Sequence, residues 1–124
     1  MTRVVVKLGG RVAGGSAAHV RELAAGGDQV CVVHGAGPQI SAEMERAGVR
    51  VRFVDGRRVT TEAAIEIVLA SFAAVNEELC AAIGADALGL SGDEIGLEVE
   101  PVPALGLVAE ARPSPSTNVI GKRA

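Results

Sequence analysis

At 124 residues, 48% of them hydrophobic, the chain has the length of one domain and enough apolar material to bury a core. Twelve Lys and Arg against fifteen Asp and Glu leave a net charge of −3 with no basic stripe, and Trp and Tyr are absent, which argues against nucleic acid as a partner. Sixteen glycines without a collagen-like period belong to turns and close backbone approaches rather than to a fibre or a disordered chain.

The chain opens Met1-Thr2-Arg3 and passes at once into Arg3 to Leu8, a short run with three successive valines, too brief for a secretion signal. No apolar run reaches membrane-spanning length, so no membrane partner and a cytoplasmic location are expected. The valine run reads as a strand covered on both faces, the parallel-sheet pattern, and Gly9-Gly10 ends it. Ser16 to Ala25 follows helical spacing with Ser16 as N-cap and Gly26-Gly27 as the stop. Gln29 to Val33 is a second buried strand, and strand, helix, strand in that order implies a right-handed crossover between parallel neighbours. Cys31 and Cys80, without a third thiol or a histidine at ligand spacing, read as two small buried apolar residues rather than as a zinc site or a disulfide.

The second strand runs into His34-Gly35-Ala36-Gly37-Pro38, where Pro38 suits the first turn of a helix carrying Ile40, Met44 and Ala47 inward to a stop at Gly48. Val49 to Phe53, then Asp55-Gly56, then Arg57 to Thr60 predict a half-exposed hairpin with a tight turn. Thr60 or Thr61 caps the longest helix, whose apolar stripe is Ile65, Val68, Leu69, Phe72, Val75, Leu79 and Ile83, with Gly84 at its end. Ala87 to Gly92 reads as a third buried strand, and Leu97 to Glu100 and Leu107 to Ala109 as two short ones. From Arg112 the apolar period is lost, which predicts a domain over 1–111 and a loose tail over 112–124. The expected fold class is α/β: a three-layer, open, mainly parallel sheet with helices on both faces.

Two buried strands that each end in a glycine turn place Gly9-Gly10 and Gly35-Ala36-Gly37 on the edge where parallel sheets bind ligands. Backbone N–H groups of such turns, with the positive end of the helix that starts near Pro38, suit a phosphate. Lys7, one residue before the end of the first strand, is a costly lysine to bury unless an anion accompanies it; the alternative is a side chain reaching solvent at the sheet edge. The P-loop is ruled out, since Ser116 stands where its first glycine should be and Arg123 follows Gly121-Lys122; the dinucleotide fingerprint fails at Ile40. Arg57 and Arg58 point to opposite faces of the hairpin; Arg57 reads as a solvated edge charge and Arg58 as a grip for a ligand carboxylate. His34 reads as a structural histidine bonding the loop, His19 as a surface residue, and Asp93 and Glu94 as a solvated carboxylate pair. No metal site is indicated.

Taken in order, Val4-Val5-Val6-Lys7-Leu8-Gly9-Gly10, Val32-Val33-His34-Gly35-Ala36-Gly37, Asp55-Gly56-Arg57-Arg58-Val59-Thr60 and Gly89-Leu90-Ser91-Gly92 resemble the N-acetylglutamate kinases of the amino acid kinase family, over about Arg3 to Glu110. The resemblance implies transfer of the γ-phosphoryl group of ATP, with Mg2+, to the side-chain carboxylate of N-acetyl-L-glutamate, a step of arginine biosynthesis. It implies that Lys7 neutralises the transferring group as the catalytic residue. Gly9, Gly10, Gly35, Ala36 and Gly37 would bind phosphate. The Gly35-Ala36 turn and Arg58 would hold the substrate. It further implies a homodimer through the 61–83 helix, of the plain dimeric type without a leading arginine-responsive helix.

Ala36 and Ala109 stand where many members have glycine, and an alanine at 36 forbids a left-handed backbone there. Members continue into a nucleotide-binding half with an Asn-rich loop, an organising aspartate and a second phosphate-binding lysine. The present chain is thus expected to correspond to the N-terminal, substrate-binding half. The competing expectations are a non-catalytic module that binds an acylated amino acid or dimerises, and a fragment of a related amino acid or carbamate kinase.

Overall fold

The computed structural model describes residues 2–10 and 14–111. In chain order it forms β1 (Arg3–Leu8), a 3-10 turn (Gly14–Ser16), α1 (Ala17–Ala25), β2 (Gln29–His34) and α2 (Gly37–Arg46). The hairpin strands β3 (Phe53–Val54) and β4 (Arg57–Arg58) follow, then α3 (Glu62–Ile83), β5 (Val99–Pro101), a second 3-10 turn (Pro103–Leu105) and β6 (Ala109–Ala111). The first two strands pair in parallel from Arg3–Gln29 to Leu8–His34, with α1 as the crossover, while β3–β4 and β5–β6 are antiparallel. A parallel bridge from Thr60 to Gly106 ties the start of α3 to the segment between β5 and β6.

The helix boundaries follow local chemistry. Pro38 occupies the first turn of α2, where a missing N–H costs nothing. At the other end of α2, Gly48 donates to Glu45 O at 3.1 Å and Val49 to Met44 O at 2.8 Å, a reverse turn in which Gly48 takes φ 71° and Val49 folds back onto the core beside Met44. The hairpin turns at Asp55 (φ 50°) and Gly56 (φ 75°), the pair of left-handed residues that matches the strand twist. Its ladder is only two residues long, so Val49 to Val51, expected as strand, instead reach the core as an irregular segment.

Two apolar clusters lie along α3. Its first part packs on α2, joining Ala36, Ile40, Met44, Ala64 and Val75; its last turns pack under the sheet and α1, joining Leu8, Ala17 and Leu79 with Val6, Val32 and Ile83. Arg21 on α1 donates to the Ala82 carbonyl and fastens the two helices side by side. The buried line of α3 runs through Ala64, Ser71, Val75 and Leu79; Ile65 is half-buried, and Leu69, expected in the stripe, is 57% exposed.

Three expectations are corrected. Both β1 and β2 alternate between covered and exposed residues rather than being buried throughout: Val5 is 71% exposed, Val33 42%, and Cys31 lies on the same open face. Valine favours strands on either face, so a valine run reports the strand and not the layer above it. Cys31 is therefore exposed, and Cys80 half-buried. The third strand expected over Ala87 to Gly92 does not form; Leu88 is 79% exposed, and Gly89 lies against Asn76 and Cys80 of α3 instead of entering a ladder. The expected short strands near 97–100 and 107–109 are present, displaced toward the C-terminus as β5 and β6. The 112–124 segment lies outside the described residues. Among those described, no helix is long and apolar enough to cross a membrane.

Candidate functional site

Because β1 and β2 are parallel neighbours in register, their carboxyl ends lie together, and the two glycine turns meet there. Gly35 N donates to Leu8 O at 3.2 Å, extending the ladder one residue into the second turn. Gly10 rests on the start of α2: a methyl group built on it would sit 3.0 Å from Pro38 Cδ, 3.2 Å from Ala36 Cα and 2.8 Å from Gln39 Oε1. Glycine is required at this position by proximity, not by backbone angle. Around Gly9, Gly35 and Gly37, by contrast, the same construction meets nothing within 4 Å. Those backbones border open space that a side chain would fill; at Gly9 and Gly37 it is the surface an anion needs to reach main-chain N–H groups, whereas the Gly35 N–H is taken by Leu8 O.

Ala36 adopts φ −143°, which alanine takes without strain, and its methyl group is buried in the α2–α3 core at 1% exposure. The third glycine common in such turns is thus dispensable here: no left-handed backbone is demanded, and the methyl group adds to the packing. The first turn of α2 carries no acidic side chain to neutralise its positive end.

Arg58 lies across that end of α2. One terminal nitrogen donates to Gly37 O at 3.0 Å and to Ser41 Oγ at 2.9 Å, the other to Met44 Sδ at 3.3 Å, and the guanidinium stacks over Phe53 at 4.7 Å. Burial among these groups draws its pKa below the ordinary arginine value. The hairpin therefore delivers a cation to the very turn that holds Gly35 and Gly37. Arg57 is half-buried and has an interaction partner of its own, rather than being a free edge charge.

Lys7 follows the alternative of a side chain reaching solvent and not that of a buried ammonium. It is exposed, beside Val5 and opposite Val33 on the open face of the sheet, and makes no hydrogen bond or ion pair among the described residues. The premise of a buried ammonium needing an anionic partner fails for the same reason as the two-sided burial: nothing in the described chain covers that face. Lys7 remains one residue before Leu8, whose carbonyl the second turn engages.

His34 behaves as a structural histidine, its Nε2 3.1 Å from Asn76 Oδ1 on α3 and its Nδ1 3.4 Å from Gly35 O. Asn76 escaped the sequence reading, although a polar residue one position past Val75 in an apolar helix was a visible signal. Gln39, which donates from Nε2 to Gly10 O at 2.9 Å, left no such signal, because a polar residue in a first helical turn is ordinary. Asp93 is fully exposed in a turn, its pKa held below the usual carboxylate range first by the Ser91 hydroxyl. Among the described residues no cluster of His, Cys, Asp or Glu is arranged to hold a metal ion.

A model of the amino acid kinase family matches residues 2–117. The chain is 44% identical over 114 residues to the acetylglutamate kinase of Rubrobacter xylanophilus, covering 87% of this chain and 45% of the relative. It is 42% identical over 97 residues to that of Methanopyrus kandleri, covering 75% and 38%. The chain thus spans less than half the length of these relatives. Among solved structures, N-acetylglutamate synthase from Neisseria gonorrhoeae, complexed with coenzyme A and L-arginine, superposes with a TM-score of 0.69 at 22% identity, over 90% of this chain and 30% of that one. The protein smu.665 from Streptococcus mutans superposes with a TM-score of 0.69 at 24% identity, over 89% and 49%. These two likenesses concern the fold, and they agree with a mixed α/β architecture built on a parallel strand pair. With a family match over most of its length, and glycine turns meeting at adjacent strand ends, the chain belongs to the amino acid kinase family.

Proposed function

We propose that this chain, as a domain over 1–111, is the substrate- and phosphoryl-binding part of an acetylglutamate kinase. Its reaction is transfer of the γ-phosphoryl group of ATP to the side-chain carboxylate of N-acetyl-L-glutamate, in the cytoplasm. The observation that carries the reading is the meeting of two glycine turns, Gly9-Gly10 and Gly35-Ala36-Gly37, under the guanidinium of Arg58. The 40%-range identities to acetylglutamate kinases support the choice of acceptor.

The main-chain N–H groups beside the open space at Gly9 and Gly37 fit the phosphoryl end of ATP, with Mg2+ as its companion, while Gly35, its own N–H held by Leu8 O, leaves room for it. Bound there, the nucleotide would supply the group to be transferred. Phosphoryl transfer asks the protein for positioning and charge stabilisation, and amides with cations provide both. Arg58 binds the α-carboxylate of the substrate, exchanging its bond to Gly37 O or Ser41 Oγ for a charge-assisted pair. The exposed Lys7 supplies positive charge to the transferring group. The half-exposed flank of α3 around Leu69 suits a homodimer contact.

Titration calorimetry tests the reading. N-acetyl-L-glutamate should bind the wild-type chain, and Arg58→Ala should weaken it by about 10- to 100-fold, the worth of a hydrogen bond to a charged group. No heat with N-acetyl-L-glutamate would refute the substrate. Binding of N-acetyl-L-glutamate without binding or turnover of ATP would leave the chain a non-catalytic binding module.

A further inference from the structure

Beyond the cations and glycines of the proposed site, one side chain connects its two halves. Gln39, the third residue of α2, donates from Nε2 to the Gly10 carbonyl at 2.9 Å and thereby reaches across 29 positions of sequence from one glycine turn to the other. Among the described residues its Oε1 is buried without a hydrogen-bond partner. Rotating the amide would not relieve this, because Oε1 would then face the Gly10 carbonyl, acceptor against acceptor. A buried acceptor left unpaired is unfavourable, and an apolar side chain of the same length would avoid that cost. What such a side chain could not supply is the donor to Gly10. Among the described residues the other hydrogen bond between the turns is the 3.2 Å bond from Gly35 N to Leu8 O, which stops short of Gly9 and Gly10.

We propose that Gln39 is a positioning residue: by bonding the Gly10 carbonyl it joins the two glycine turns into one rigid body, so that they engage an anion together. The proposal rests on the phosphoryl-binding reading above, and its test separates the two. In the ligand-free, 15N-labelled chain the amide order parameters of Gly9 and Gly10 should be near the rigid value of about 0.85. They should fall toward about 0.6 in Gln39→Met, which keeps the length and removes both the donor and the orphan acceptor. Gly35, held by Leu8 O, should keep its value. With inorganic phosphate as the probe, amide shifts in the wild type should report one common Kd for both turns. In Gln39→Met that binding should weaken by up to about tenfold, the worth of a neutral hydrogen bond, while the Tm is unchanged or higher.

Unchanged order parameters, or unchanged phosphate affinity despite a loosened turn, would overturn the proposal. So would a loss of affinity matched by a fall in Tm, since that is what a purely structural residue gives. If methionine prevents folding, Gln39→Glu repeats the test in the same shape with an acceptor in place of the donor. If phosphate moves neither turn in the wild type, the phosphoryl-binding reading fails, and the order parameters alone decide whether Gln39 joins the turns.

Discussion

Gly9 and Gly10 are neighbours of the same type at the end of the same strand, yet alanine should act oppositely at the two positions. At Gly10 the new methyl group would meet Gln39 Oε1 at 2.8 Å, Pro38 Cδ at 3.0 Å and Ala36 Cα at 3.2 Å. The glutamine can swing aside only by giving up its bond to Gly10 O, worth about 1 kcal/mol. The proline ring and the Ala36 backbone, pinned by a core residue at 1% exposure, have little freedom to yield. Overpacking of this kind costs about 1–3 kcal/mol, so Gly10→Ala should lower the Tm by roughly 5–15 °C. At Gly9 the methyl group would meet nothing within 4 Å, and the backbone lies outside the left-handed range. Stability should therefore stay within about 0.5 kcal/mol of wild type. The Gly9 methyl group would, however, occupy the space assigned to the anion, so phosphate affinity should fall while the fold is kept. Thermal unfolding followed by circular dichroism, paired with phosphate titration, reads both quantities. A Gly10→Ala protein that melts within 2 °C of wild type, to about that precision, or a Gly9→Ala protein as destabilised as Gly10→Ala, would refute the geometry of the meeting turns.

Gly106 takes φ 80°, and a methyl group built on it would run into the Thr60 carbonyl, so Gly106→Ala should destabilise by about 1–3 kcal/mol and detach the β5–β6 ladder; the Tm and exchange of the Leu107 amide, which donates to Thr60 O at 2.7 Å, measure this. Arg58→Lys should restore little of the affinity lost in Arg58→Ala, because an ammonium cannot reproduce the fork that spans Gly37 O, Ser41 Oγ and Met44 Sδ; calorimetry with N-acetyl-L-glutamate decides, and full rescue would count against a bidentate role. Val5→Lys, on the open sheet face, should change the unfolding free energy by no more than about 0.5 kcal/mol and reduce self-association on a sizing column; a large loss of stability would show the face to be covered. Asp93 has a folded-state pKa below its unfolded value, so the bond from Ser91 stabilises the turn above the usual carboxylate range and is lost as pH falls through the lowered value. Ser91→Ala should raise the Asp93 midpoint in an NMR titration, and an unmoved midpoint would remove the hydroxyl as the cause.

Whatever depends on neighbours in sequence was legible in the chain itself. The spacing of Ile40 and Met44, Pro38 at a helix start, Gly48 at a helix end and Asp55-Gly56 at a hairpin each stated their local structure, because helical period and backbone angle are set within a few residues. The parallel pair followed from strand, helix, strand, and with it the meeting of two glycine turns at one edge. The order of four short motifs pointed to the family that the comparison then showed.

What only the tertiary structure decided was which surfaces are covered and which groups touch. Val5 and Val6 are the same residue type one position apart, and only the layer of α1 and α3 beneath the sheet makes one of them a core residue. Lys7 shares the side of Val5, so the choice between a buried ammonium and one reaching solvent waited on which face is open. The Ala87 to Gly92 segment carries strand-like residues, but a strand exists only where a partner offers its backbone, and this segment met α3 instead. Gln39 on Gly10, Asn76 on His34 and Arg58 on Gly37 join residues 21 to 42 positions apart. Such contacts arise from how packed elements settle against one another, and no period or turn signal in a single sequence encodes that distance.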